Sequence, residues 1–173
     1  MTIKHWKKET DDNGIVWLSL DSPDAKANVL SSVVLGELND LVDPLTQSPP
    51  KGLVIWSGKQ DSFVMGADIN EFTLIETSEQ AYEQVRLGQQ LMDKIEALGC
   101  PTVTVVNGVC MGGGLELAMA CDYRIAFDGD KKILGLPEVK LGLHPGFGGT
   151  VRAVQICGVR AGMSLMLTGN PVA

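Results

Sequence analysis

The stretch PTVTVVNGVCMGGGLELAMACD, residues 101–122, constrains the fold more than any other part of the chain. Its first half is a buried-type strand rich in β-branched residues, and its second half is a helix beginning near Gly113. Leu115, Leu117, Ala118, Met119 and Ala120 leave that helix no polar face, so it belongs in an interior. Between the two stand three consecutive glycines, and one turn later a single carboxylate, Glu116. Glycine is costly within a helix and a buried unpaired carboxylate is costlier still, so both need a reason.

The flanking sequence alternates strands with helices. GIVWLSL (14–20) reads as a strand ended by the turn-like DSPDAKAN (21–28). Ser31 or Ser32 is placed to cap a helix whose apolar residues Val34, Leu38, Leu41, Val42 and Leu45 recur at helical spacing. LVIWS (53–57) is a strand, GKQDSFVMGAD (58–68) a loop, and Thr77 with Gln80 has the spacing of a capping box. The helix it opens runs to about Leu98, with Ala81, Val85, Gly88, Met92 and Ile95 along one face. YRIAF (123–127) is a further strand and ILGLPEVKLG (133–142) one or two extended segments. Residues 148–157 and 160–169 read as helices separated at Gly158. Alternation of this kind predicts an α/β layer architecture, without linker, low-complexity tract or strict repeat.

The glycine run supports two readings. It is either a tight turn whose glycines let helix and strand pack, or a turn that brings first-turn N–H groups close to a ligand oxygen. Glu116 is either a partner of the helix dipole facing solvent or a half-buried carboxylate with a raised pKa. Glu138, in GLPEVKLGLHPGFGG, is either an exposed strand-end residue or a second carboxylate for acid/base work. SFVMGADI (62–69) is a loop able to supply a second backbone donor. No GxxxxGK[ST] occurs, and the glycine run lacks the setting of a dinucleotide site. Cys110 or a serine with His144 makes a weak nucleophile pair, and Cys110 reads better as a packing residue.

A net charge of −7 without a basic run argues against nucleic acid and anionic membrane as partners. The polar opening MTIKHWKKETDDNG is not expected to be a signal peptide, and no apolar stretch reaches membrane-spanning length. The four cysteines lack zinc-ligand rhythm and read as free thiols of a cytoplasmic protein, so no metal is expected.

Together, KANVL, GLVIWSG, FVMGADINEF, PTVTVVNGVCMGGGLELAMACDYRIA and LPEVKLGLHPGFGGTVR resemble the enoyl-CoA hydratase/isomerase, or crotonase, superfamily over nearly the whole chain. Within it, LPEVKLG and PGFGGTVR are most similar to the N-terminal hydratase domain of the multifunctional fatty-acid oxidation α chain. The resemblance implies an α/β spiral of repeated ββα units forming one domain over residues 1–173. It implies a thioester carbonyl held between the N–H groups of Ala67 and Gly113, with Glu116 and Glu138 as catalytic residues. Coenzyme A and acyl chain would lie along Ala25, Lys26, Ala27, Met65, Asp68, Ile69, Met111, Gly112 and Pro137. No separate cofactor is implied, because coenzyme A arrives as part of the substrate.

The implied reaction is hydration of trans-2-enoyl-CoA in fatty-acid β-oxidation. A Δ3–Δ2 enoyl-CoA isomerase and a non-catalytic acyl-CoA-binding or assembly module are the alternatives. The implied assemblies are a homotrimer or, within a longer α chain, a complex with a thiolase subunit. LTGNPVA closes the sequence without a terminal cap, either as a short tail or as the end of an N-terminal piece. The resemblance favours the piece, because the superfamily's domain continues into helices that cover the acyl site, and these are absent.

Overall fold

Apolar runs become strands and residues at helical spacing become helices along most of the chain, in a computed structural model that describes residues 3–129, 131 and 133–173. The elements begin with β1 (Trp6–Thr10), β2 (Ile15–Leu20), α1 (Ser32–Gln47), β3 (Gly52–Ser57) and β4 (Ser62–Val64). They continue through α2 (Ile69–Phe72), α3 (Ser78–Glu96), β5 (Thr102–Val106), β6 (Val109–Met111) and α4 (Gly113–Ala120). β7 (Tyr123–Ala126), β8 (Leu134–Gly135), a 3₁₀ turn (Pro137–Leu141) and α5 (Gly149–Thr168) complete them.

One sheet has the order β1-β2-β3-β5-β7 and the other β4-β6-β8. The β1–β2 pairing is antiparallel, with Trp6 opposite Leu20, and every other pairing between these strands is parallel. Each unit therefore lays one strand in the larger sheet, the next in the smaller, and then a helix: β3-β4-α3, β5-β6-α4, β7-β8-α5. The first turn of the spiral is abbreviated, with β2, a single parallel bridge from Leu30 to Ala67, and α1. This is the crotonase spiral. The repeat is invisible in the sequence because the units share an order of elements and no common length. β4 has three residues and β8 two.

The core lies between the larger sheet and the helices. Leu18, Leu20, Leu53 and Ile55 meet Val34, Leu38 and Val42 of α1 and Leu91, Met92 and Ile95 of α3. Ser31 caps α1 through its Oγ, and Thr77 with Gln80 forms the expected capping box on α3. Among the described residues no helix is long and apolar enough to cross a membrane.

Several expectations need correction. β1 was not anticipated from its polar sequence, because it buries only Trp6 and exposes its remaining residues. β4 lies inside the stretch expected to be a loop. The face expected along α3 is buried only from Gly88 onward, while Ala81 and Val85 are half-buried. Glu138 is not at a strand end but in the 3₁₀ turn. By contrast, the separation expected at Gly158 is borne out: residues 149–168 are two helical segments meeting at a kink where Gly158 takes φ 80° and ψ 164°.

The packing reading of the glycine run holds at Gly114. A Cβ there would overlap the backbone carbonyl of Val64, so only glycine lets α4 lie directly on β4. Gly114→Ala is expected to cost about 1–3 kcal/mol of stability by overpacking against backbone that cannot move aside. Chemical denaturation of the variant and the parent checks this.

Candidate active site

Four loop segments converge on the N-terminus of α4. The first, containing Ala25, Lys26 and Ala27, ends at Asn28, which is fully buried. The Asn28 Nδ2 donates to the Leu20 carbonyl (2.8 Å) and to Ser57 Oγ (2.9 Å), while its Oδ1 accepts from the Ser22 N–H (3.0 Å). The second segment, Met65–Asp68, is hung on the first. Met65 N–H donates to the Asn28 carbonyl, Leu30 N–H to that of Gly66, and Asp68 N–H to that of Leu30. Alternation around the Leu30 bridge leaves the Ala67 N–H with no acceptor among the described residues.

The third segment is the glycine run. Gly112 takes φ 51° and ψ −128°, a conformation open to glycine. Its carbonyl accepts the Glu116 N–H (3.0 Å) and its N–H donates to the Gly135 carbonyl (2.8 Å). The Gly113 N–H, first in the helix, has no acceptor among the described residues. A Cβ on Gly66 would stand 3.3 Å from the Met111 carbonyl oxygen and 3.8 Å from the Gly113 nitrogen. The loops carrying the two free donors therefore abut. A tight turn and close approach of backbone to a ligand are both available here.

Glu116 is 2% exposed. Its Oε1 accepts from the Phe147 N–H (2.8 Å) and the Gly149 N–H (2.7 Å), both from the fourth segment, which leads into α5. Burial pushes its carboxyl from the ordinary 4.5 up to about 7, opposed by the Gly149 N–H and reinforced by the Glu138 charge. Glu138 Oε1 lies 3.1 Å from where a Gly112 Cβ would be, and its Oε2 is buried without a hydrogen-bond partner. Burial also raises the Glu138 carboxyl, which the charge of a protonated His144 would oppose. Two carboxyls thus stand at the glycine turn, each raised by burial.

The raised Glu116 carboxyl has a signed consequence for stability. The group favours folding while protonated, so its contribution is whole below pH 4.5 and lost as pH rises through about 7. The loss amounts to about 3 kcal/mol. Glu116→Gln, which still accepts both N–H groups, is expected to flatten that decline and to be more stable than the parent at pH 8. Urea midpoints at pH 5 and pH 8 test the difference.

The remaining expected residues are placed as follows. Ala25 and Ala27 are half-buried and Lys26 is exposed. Met65 and Ile69 are exposed, and Asp68 caps α2 by accepting the Asn70 N–H at 3.0 Å. Met111 and Pro137 are half-buried and Gly112 is buried. Met65–Asp68 and Met111–Gly113 come together with Glu116 and Glu138, whereas Ala25–Ala27 precede Asn28, whose carbonyl accepts the Met65 N–H. Burial raises the Cys110 thiol far above its ordinary value, which supports packing over nucleophilic chemistry. His144 is exposed, its Nδ1 3.1 Å from the Pro145 carbonyl. Asn28, Phe147 and Gly149 were not anticipated, because their contributions are hydrogen bonds to residues distant in sequence.

The family described as enoyl-CoA hydratase/isomerase matches residues 10–173. The chain is 44% identical over 167 residues to the fatty acid oxidation complex subunit alpha of Aliivibrio fischeri, covering 95% of this chain and 24% of that one. It is equally 44% identical over 168 residues to that of Idiomarina loihiensis, covering 96% of this chain and 24% of that one. Among solved structures it resembles an enoyl-CoA hydratase of Bacillus anthracis, with TM-score 0.87 and 30% identity over 97% of this chain and 64% of that one. An enoyl-CoA hydratase of Thermoplasma volcanium gives TM-score 0.87 at 26% identity, over 98% of this chain and 66% of that one. The chain thus spans 24% of the length of these curated relatives.

Proposed function

Because this chain belongs to the enoyl-CoA hydratase/isomerase family, we propose that it adds water to trans-2-enoyl-CoA to give 3-hydroxyacyl-CoA in fatty-acid β-oxidation. The observation that carries the proposal is a pair of carboxyls, Glu116 and Glu138, beside the abutting loops of two free N–H donors. The thioester oxygen is received by the Ala67 and Gly113 N–H groups, where enolate charge develops in the transition state. With Glu116 Oε1 held by two amides, its second oxygen and Glu138 Oε2 are free to hold a water between them. The ionised carboxylate takes a proton from that water as its oxygen bonds to Cβ. The Cα–Cβ π pair moves toward the thioester, and the protonated carboxyl gives its proton to Cα. The pair ends with the number of protons it began with, and coenzyme A enters only as part of the substrate.

The assay is the fall of the enoyl absorbance of crotonyl-CoA on incubation with the chain. Turnover abolished by loss of either glutamate supports hydration. Activity on a 3-enoyl-CoA that needs only one of them favours the isomerase, and binding without turnover favours a non-catalytic module. We also propose a cytoplasmic assembly, as a homotrimer or, within a longer α chain, with a thiolase subunit. Met163 and Leu167 of α5 are exposed and Met166 is buried, so α5 offers a partly free apolar face for such contacts.

A further inference from the structure

Arg152 is the first-turn residue of α5 whose presence is hardest to explain by local stability. A cation at a helix N-terminus opposes the dipole, and this one is only 6% exposed. Four of its five guanidinium N–H donors are engaged. Nη2 donates to Asp93 Oδ1 (2.7 Å) and Glu96 Oε2 (2.6 Å), and Nε donates to the same Glu96 oxygen (3.1 Å). Nη1 turns back over Gly148, where a Cβ would collide with it, and donates to the Phe147 carbonyl (3.1 Å). That peptide segment is the one whose N–H groups, at Phe147 and Gly149, grip Glu116 Oε1. A second tether from α3 reaches the same segment, Gln89 Nε2 to the Gly146 carbonyl (2.8 Å).

We propose that Arg152 is a positioning residue for Glu116: anchored on Asp93 and Glu96 of α3, it fixes the Phe147 carbonyl and so aims the Phe147 and Gly149 N–H groups at the carboxylate. The proposal rests on the hydratase reading for its consequence in turnover, but not for its consequence in structure. The two carboxylates that hold Arg152 are themselves well exposed, at 62% and 54% of their side chains. The work of the ion pairs is therefore directed inward, at a loop, more than at sealing a core. The charges bearing on Glu116 are Glu138 from the 3₁₀ turn and Arg152 from α5. Asp93 and Glu96 face Arg152 in turn, and His144 faces Glu138.

The test uses Arg152→Gln and Arg152→Lys in the intact chain, with the Glu116 carboxyl followed by isotope-edited infrared titration against Glu116→Gln as blank. Arg152→Gln is expected to raise the Glu116 midpoint by about one pH unit, since a nearby cation and two aligned donors are weakened together. Its kcat on crotonyl-CoA is expected to fall between about ten- and a hundredfold with KM nearly unchanged, the signature of misplacement. Arg152→Lys keeps the charge without the fork, so it is expected to restore the midpoint and only part of kcat. Because Arg152→Gln removes a buried group, Asp93→Ala with Glu96→Ala supplies a second test from exposed positions. There, amide exchange at Phe147 and Gly149 is expected to quicken by about tenfold or more. An unchanged Glu116 midpoint in folded Arg152→Gln, or unchanged exchange in the double variant, overturns the proposal. If the hydratase reading is what fails, turnover is absent in the parent while the midpoint and exchange still shift.

Discussion

Glu116→Gln and Glu138→Gln are each expected to cut hydration of crotonyl-CoA by about 10²-fold or more, within the range for positioned acid/base groups. Glutamine matches glutamate in shape, and at position 116 it still accepts the Phe147 and Gly149 N–H groups, so the loops stay where they are. What is lost is proton exchange. Affinity for coenzyme A is expected to persist, because the two side chains act at the Cα–Cβ bond and not along the nucleotide. The double variant is expected to fall little below the worse single one, since residues that share one water act as a unit. The pH profile should report the pair, with one limb near the Glu116 value of about 7. Stopped-flow decay of the enoyl absorbance, with coenzyme A binding measured separately, gives both quantities. Near-parental hydration in either folded variant would remove the two-carboxylate mechanism.

Much of this arrangement was legible in the sequence, and the reasons are local. A lone carboxylate in a helix with no polar face marks Glu116 whatever the fold around it. The apolar runs of β2, β3 and β5 announce themselves because they are rich in β-branched and large apolar residues and bounded by turn formers. The strands of the smaller sheet do not, because segments of two or three residues show no period. Glu138 was read in an extended segment, although Pro137 opens the 3₁₀ turn and Gly142, at φ 73°, closes it. Punctuation by proline and glycine was present, but a single short turn between them left no periodic signal. Least legible were the residues that act at a distance. Arg152 meets partners 56 and 59 positions away. Asn28 reaches Ser57 across 29 positions. Spacing along a chain carries no trace of such bonds.

The second large effect is expected at Ala67. Its N–H has no acceptor among the described residues: the neighbouring bonds run from Leu30 to Gly66 and from Asp68 to Leu30. Ala67 sits in the extended bridge with Leu30, where proline is tolerated at a position that donates nothing to the pairing. Ala67→Pro therefore deletes a proposed oxyanion donor while leaving the hydrogen bonds of the loop in place. Loss of one such donor costs about 10²–10³ in turnover, because the charge it meets exists only in the transition state. The ground-state thioester gains little from the same bond, so KM is expected to change far less than kcat. A folded variant, checked by circular dichroism, that turns over crotonyl-CoA at the parental rate would take Ala67 out of the site. The Gly113 N–H would then be left to meet the enolate from the helix N-terminus alone.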